Sequence, residues 1–208
     1  MARPLASIIC YCGFRQIPHR GTGVQKLYRR ICTEVAHDRR LFPLVALRPW
    51  NSDFDTDAEL IEQADSQRLI LVGYSYGCGW AIPQLAKRLN HNPIHLAALI
   101  DPVKRYGIGK LRSLRRGGKL EMPSNVVKAA AWWTTNDPGW FNPMGHEVTG
   151  VPLIRNIAYG TESDLRQHAP DAEHRIDPHV DHMNIDDRDD IHDEIISLVR
   201  RVIAEVEA

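Results

Sequence analysis

The segment "RLILVGY" (68–74) runs into Gly73-Tyr74-Ser75-Tyr76-Gly77 and then into a helix-like pattern. A serine between two glycines at the end of an apolar strand is suited to act as a nucleophile on a strained turn. Side chains at either glycine would collide in so sharp a bend, and the serine backbone is forced into an unfavourable conformation. That geometry exposes Oγ and aims the following helix N-terminus at it. A tight connection whose serine merely caps the helix is the plainer reading.

A serine hydroxyl needs a base. The chain has ten histidines, and the base belongs in a loop after the last strand and before the last helix. His168, His174, His179 and His182 fall in that window. His182 is the leading candidate because "VDHMNIDD" leads directly into the final helix. His179 and His182 with Asp177 and Asp181 also have the composition of a metal site. Without cysteine, however, the set is not a closed ligand group, and no metal or cofactor is expected.

The elements that must position these residues alternate. Residues 5–12 read as an apolar strand. Val24, Leu27, Tyr28, Ile31 and Val35 fall at helical spacing. Residues 41–47 read as a short strand, 55–65 as an acidic helix and 68–74 as a continuous apolar strand covered on both faces. Leu85, Ala86 and Leu89 continue a helix, in which Pro83 should make a kink or a break. Residues 94–100, 125–133 and 152–160 read as further strands, and Ile191, Ile195, Leu198, Val199, Val202 and Val206 mark a last helix. Alternation of this kind predicts an α/β three-layer sandwich with a mostly parallel sheet of about six strands. Ligand sites in such sheets lie at the carboxyl ends of the strands, where Ser75 sits.

The chain of 208 residues is read as a single domain over 1–208. Lys plus Arg and Asp plus Glu are 26 each, so bulk charge nominates no partner and gives no strong nucleic-acid signal. The charge is locally uneven. Residues 103–120 carry Lys104, Arg105, Lys110, Arg112, Arg115, Arg116 and Lys119 with no acid. Residues 102–124 break the strand–helix rhythm and read as a basic lid or cap loop, able to favour an anionic substrate or interface. No apolar run is long enough to span a bilayer. Cys10, Cys12, Cys32 and Cys78 suit neither a zinc site nor a disulfide framework. Cys10 and Cys12, on one face of a strand, read as buried thiols, which points to a cytoplasmic setting. Trp132, Trp133, Trp140 and Phe141 read as core and pocket wall, with an acyl-binding wall among the readings.

Taken in order, "IICYCGF", "GYSYG" and "DHMNIDD" resemble the α/β-hydrolase superfamily of esterases, lipases and thioesterases. The resemblance covers nearly the whole chain and implies a minimal α/β-hydrolase fold lacking the first two strands. In relatives the tail often reads Asp-His-x-x-Ile with that histidine as the base, which maps to His182. "CGF" matches the relatives' His-Gly-Phe, whose backbone helps to form the oxyanion hole. Phe14 is thereby the second oxyanion donor beside Tyr76, the residue after the nucleophile. Cys12 stands where the relatives carry histidine.

The third member of a triad must accept from the histidine Nδ1–H. Asp101 follows "LAALI", and Asp137 follows "AAAWWTTN" one strand later. The superfamily usually places the acid after the later strand, and some lipases use the earlier one. Asp101 is taken first and Asp137 as the alternative acid, while a turn-capping aspartate before proline is the plainer reading of each. The leading function is a serine hydrolase of a small-molecule carboxylic ester or thioester. The competing readings are a non-catalytic module of the same fold with a basic partner-binding loop, and an acyltransferase or amidase with the same triad.

Overall fold

A computed structural model describes residues 3–14, 16, 23–103, 119–136 and 148–206. In chain order the elements are β1 (Ala6–Tyr11), α1 (Gly23–Glu34), β2 (Val45–Arg48), α2 (Phe54–Ala64), β3 (Arg68–Tyr74) and α3 (Ile82–Arg88). Then come β4 (Leu96–Ile100), β5 (Leu120–Glu121), β6 (Ala129–Thr134), β7 (Val148–Thr149), β8 (Leu153–Gly160), α4 (Glu162–His168), β9 (Glu173–Ile176) and α5 (Asp189–Ala204).

Seven strands form one parallel sheet in the order β2-β1-β3-β4-β6-β8-β9. This is the three-layer α/β architecture with a parallel sheet expected from the sequence. The strand added to the expected six is β9. Its sequence "EHRI" has no apolar run, because as an edge strand it is only partly covered. A separate two-stranded sheet pairs β5 with β7. Leu120–Glu121 therefore belongs to a strand although it falls within the segment read as a loop. The proposed lid lies for the most part outside the described residues, as do Asp137, Trp140 and Phe141.

The period-two alternation of the strands divides the core. From β1, β3 and β4, Ile8, Cys10, Ile70, Val72, Leu96 and Ala98 pack with the buried stripes of α1 and α5. Their neighbours Ile9, Tyr11, Leu69, Leu71, Ala97 and Leu99 pack with α2 and α3 on the opposite face. Both faces are thus covered, which is why β3 and β4 read as unbroken apolar runs. The α2 helix starts at Asp53, whose carboxylate accepts from the Asp55 and Thr56 amides.

The chain leaves β3 through Ser75 and Tyr76 into a single π-helical turn, Gly77–Ala81, before α3 begins. Pro83 sits in the first turn of α3. Ala81 and Ile82 both keep right-handed helical backbone, so the π turn and α3 form one helical path, and Pro83 lies just past the point where that path is interrupted by its change from π to α.

Candidate active site

Ser75 has φ 53° and Asp101 has φ 43°. Among the described residues only three non-glycine residues have positive φ, Asp65 being the third. Left-handed backbone at such residues is costly and persists where surrounding structure imposes it. Both residues directly follow central strands, β3 and β4, which are neighbours in the sheet. The Ser75 N–H donates to the Ile100 carbonyl at 3.0 Å, so the two turns are tied together.

The glycines flanking Ser75 are sterically required. A Cβ on Gly77 would fall 2.5 Å from the Tyr11 carbonyl oxygen, and one on Gly73 would fall 2.9 Å from Cys78 N. The Ser75 carbonyl accepts from the Cys78 and Gly79 amides, both at 3.0 Å, and starts the helical path.

Ser75 Oγ lies 3.0 Å from His182 Nε2, and His182 Nδ1 lies 2.5 Å from Asp101 Oδ2. A carboxylate can only accept, so Nδ1 carries the proton and Nε2 accepts from the serine hydroxyl. The second Asp101 oxygen accepts from the Thr134 amide of β6 at 3.2 Å. Asp101 is fully buried, and Ser75 and His182 are each 3% exposed. His182 and the Gly13 backbone lie against the serine, and a Cβ on Gly13 would fall 3.1 Å from Ser75 Cβ.

The histidine loop is held from several sides. Thr134 Oγ1 donates to the Val180 carbonyl at 2.9 Å. The Asn136 side chain donates to the carbonyls of Asp177 and Val180. Asp181 accepts from the Met183 and Asn184 amides in an Asx turn. The Tyr74 hydroxyl donates to the His182 carbonyl, and its ring stacks on the imidazole with centroids 5.2 Å apart. Tyr74 was not singled out from the sequence. The signal was its place one residue before the serine, which by strand alternation points to the opposite side of the turn.

The other candidate bases lie elsewhere. His168 is exposed on α4, His174 on β9 donates to the Ala169 carbonyl at 2.8 Å, and His179 is exposed. The carboxylates considered as metal ligands are engaged: Asp177 with Arg188 at 2.7 Å and Asp181 in its turn. Among the described residues no group of three or more His, Cys, Asp or Glu is placed to hold a metal ion.

Tyr76 and Phe14, the residues read as oxyanion donors, stand side by side with ring centroids 5.5 Å apart. Trp50, beyond the end of β2, completes a triangle at 5.7 Å from Phe14 and 5.6 Å from Tyr76. Trp132 and Trp133, by contrast, are bound into the fold. The Trp132 indole donates to Glu194 on α5 and that of Trp133 to Asn156 on β8, both at 3.0 Å. Trp50 was not anticipated as a neighbour of the site, since a lone tryptophan after a short strand carries no periodic signal.

No family model matches the chain, and no curated protein matches it. Among solved structures it is similar to a YdeN-like hydrolase from Pectobacterium atrosepticum, with 16% identity, TM-score 0.44, and coverage of 95% of this chain and 92% of that one. It is similar to a structure from work on LipS and LipT, two metagenome-derived lipolytic enzymes, with 11% identity, TM-score 0.48, and coverage of 97% and 94%. It is also similar to a hypothetical protein of Pseudomonas aeruginosa PAO1, with 12% identity, TM-score 0.43, and coverage of 95% and 90%. None of these likenesses bears on the chemistry, which rests on the geometry above.

Proposed function

We propose that the protein is a serine hydrolase that cleaves a carboxylic ester or thioester through an acyl-enzyme. The observation that carries this reading is the hydrogen-bonded line from Ser75 through His182 to buried Asp101. Ser75 attacks the acyl carbonyl while His182 Nε2 takes its proton. His182 then returns that proton to the leaving alcohol or thiol. Water, activated by the same nitrogen, releases the acid and regenerates Ser75. Asp101 holds the tautomer and stabilises the imidazolium. The backbone N–H groups of Tyr76 and Phe14 stabilise the oxyanion, a contribution typically worth about 10²–10³ in rate per donor.

The Phe14–Trp50–Tyr76 triangle supports a small-molecule substrate with an apolar portion beside the carbonyl. The basic residues of 103–120 favour an anionic group on the substrate or at an interface. The four free thiols fit a reducing, cytoplasmic compartment, and among the described residues no helix is long and apolar enough to cross a membrane.

The test is a fluorophosphonate probe followed by peptide mapping, with hydrolysis of a short p-nitrophenyl ester in parallel. Labelling at Ser75, lost together with hydrolysis in a folded Ser75→Ala variant, is the expected result. A folded Ser75→Ala protein that still hydrolyses the ester would refute the proposal.

A further inference from the structure

We infer that Gln16 and Asp186 are positioning residues that hold the oxyanion loop against the loop carrying His182. The inference rests on the serine chemistry proposed above and adds the device that sets one of its donors.

The Gly13–Phe14 segment must keep a fixed orientation if the Phe14 N–H is to meet a developing oxyanion. Gly13 itself supplies no rigidity. It lacks a Cβ because one would fall 2.7 Å from the Tyr74 ring, and a glycine leaves both of its backbone torsions free. Something outside the segment must fix it. The Gln16 side chain lies in that position. Its amide oxygen accepts from the Gly13 N–H at 2.9 Å, and its amide nitrogen donates to Asp186 Oδ2 at 2.8 Å.

Asp186 is 1% exposed and lies in the 3-10 turn Ile185–Asp187, four residues beyond His182. That turn is fixed in its own right. The Asp186 carbonyl accepts from His192 Nε2 of α5 at 2.7 Å. The same turn lies against the start of α1, where a Cβ on Gly23 would fall 1.9 Å from the Asp186 carbonyl oxygen and the Val24 amide meets the carboxylate. One buried carboxylate thus joins the β1 loop, the start of α1 and the histidine loop. Burial works against its charge, and the Ser75–His182–Asp101 line does not use it. A cap for α1 alone would need the Val24 contact and no Gln16.

The experiment compares wild type, Gln16→Leu, Gln16→Glu and the double variant Gln16→Glu/Asp186→Asn. It measures amide hydrogen exchange at Gly13 by NMR, p-nitrophenyl ester kinetics and the rate of fluorophosphonate labelling at Ser75. In Gln16→Leu the Gly13 amide should exchange faster, and kcat should fall by about 10²-fold, the scale of losing one oxyanion donor, with KM changed little. Gln16→Glu sets two carboxylates face to face and should be impaired at neutral pH. The double variant restores the donor–acceptor pattern, since the asparagine amide donates to the glutamate and the glutamate accepts from Gly13. It should recover both Gly13 protection and kcat.

Unchanged Gly13 exchange or unchanged kcat in a folded Gln16→Leu protein would overturn the inference, as would a double variant no better than Gln16→Glu. A wild-type protein that neither hydrolyses the ester nor labels at Ser75 would refute the serine chemistry and the catalytic part of this inference with it. Gly13 exchange would still decide whether the tether exists.

Discussion

Asp101 and His182, 81 residues apart in the chain, meet with Nδ1 2.5 Å from Oδ2. The carboxylate reaches the imidazole because Asp101 ends the strand next to the one that presents Ser75, and because its left-handed backbone turns the side chain across the strand ends. Asp101→Asn should leave the fold intact and lower kcat by about 10⁴ through the wrong imidazole tautomer. Asp137→Asn should be mild. Steady-state ester hydrolysis by the two variants decides between the acids, and the reverse order would move the role to Asp137.

Tyr74→Phe removes the hydroxyl that donates to the His182 carbonyl and leaves the stacked ring. Loss of a buried hydrogen bond costs about 1–3 kcal/mol, here on the loop that carries His182, the proposed base. A fall in kcat of roughly tenfold with little change in KM is the expected outcome, since misplacing a catalytic group acts on the chemical step. Thermal melting alongside kinetics separates this from general unfolding.

Gly77→Ala places a Cβ 2.5 Å from the Tyr11 carbonyl oxygen, which belongs to β1 and cannot swing away as a side-chain tip would. Overpacking of this kind costs about 1–3 kcal/mol or more, and for a chain of this size each kcal/mol corresponds to roughly 2–4 °C in Tm. Differential scanning calorimetry should show a clear drop. An unchanged Tm would mean that β1 and the serine turn are not in the contact described.

Burial pushes the Asp186 carboxyl up from 3.8 to about 6, against the bonds from Gln16 and the Val24 amide that favour its ionised form. Among the described residues, Cys12 just beyond β1, Asp187 beside it and His192 of α5 also face it. A folded state that holds this proton more tightly than the unfolded chain is favoured at low pH. The contribution is fully present below pH 3.8 and lost as pH rises to about 6. Burial holds His192 below its usual range, so its own contribution runs the other way, being lost as pH falls below 6.5. Chemical denaturation of wild type and Asp186→Asn across this range isolates the aspartate, because His192 is common to both. The variant should gain on wild type as pH rises through 4 to 6, by at most on the order of 3 kcal/mol. A difference that stays constant with pH would show that Asp186 titrates normally.

What the sequence by itself determined is local. Gly73-Tyr74-Ser75-Tyr76-Gly77 after an apolar strand specifies a strand–turn–helix connection, because the two glycines and the strand period act within a few residues. The unbroken apolar runs of β3 and β4 call for a sheet covered on both faces. Edge strand β9 left no such trace, since a partly covered strand needs no apolar run. The tertiary structure alone decided which distant groups meet. Strand order puts the ends of β3, β4 and β6 side by side, so that Asp101 accepts from the Thr134 amide and reaches His182. The Tyr74 hydroxyl on His182, the Phe14–Trp50–Tyr76 triangle and the Gln16–Asp186 bond across 170 residues depend on that order as well. Periodicity records which face of an element is buried. It carries no record of which other element's polar atom will be waiting there.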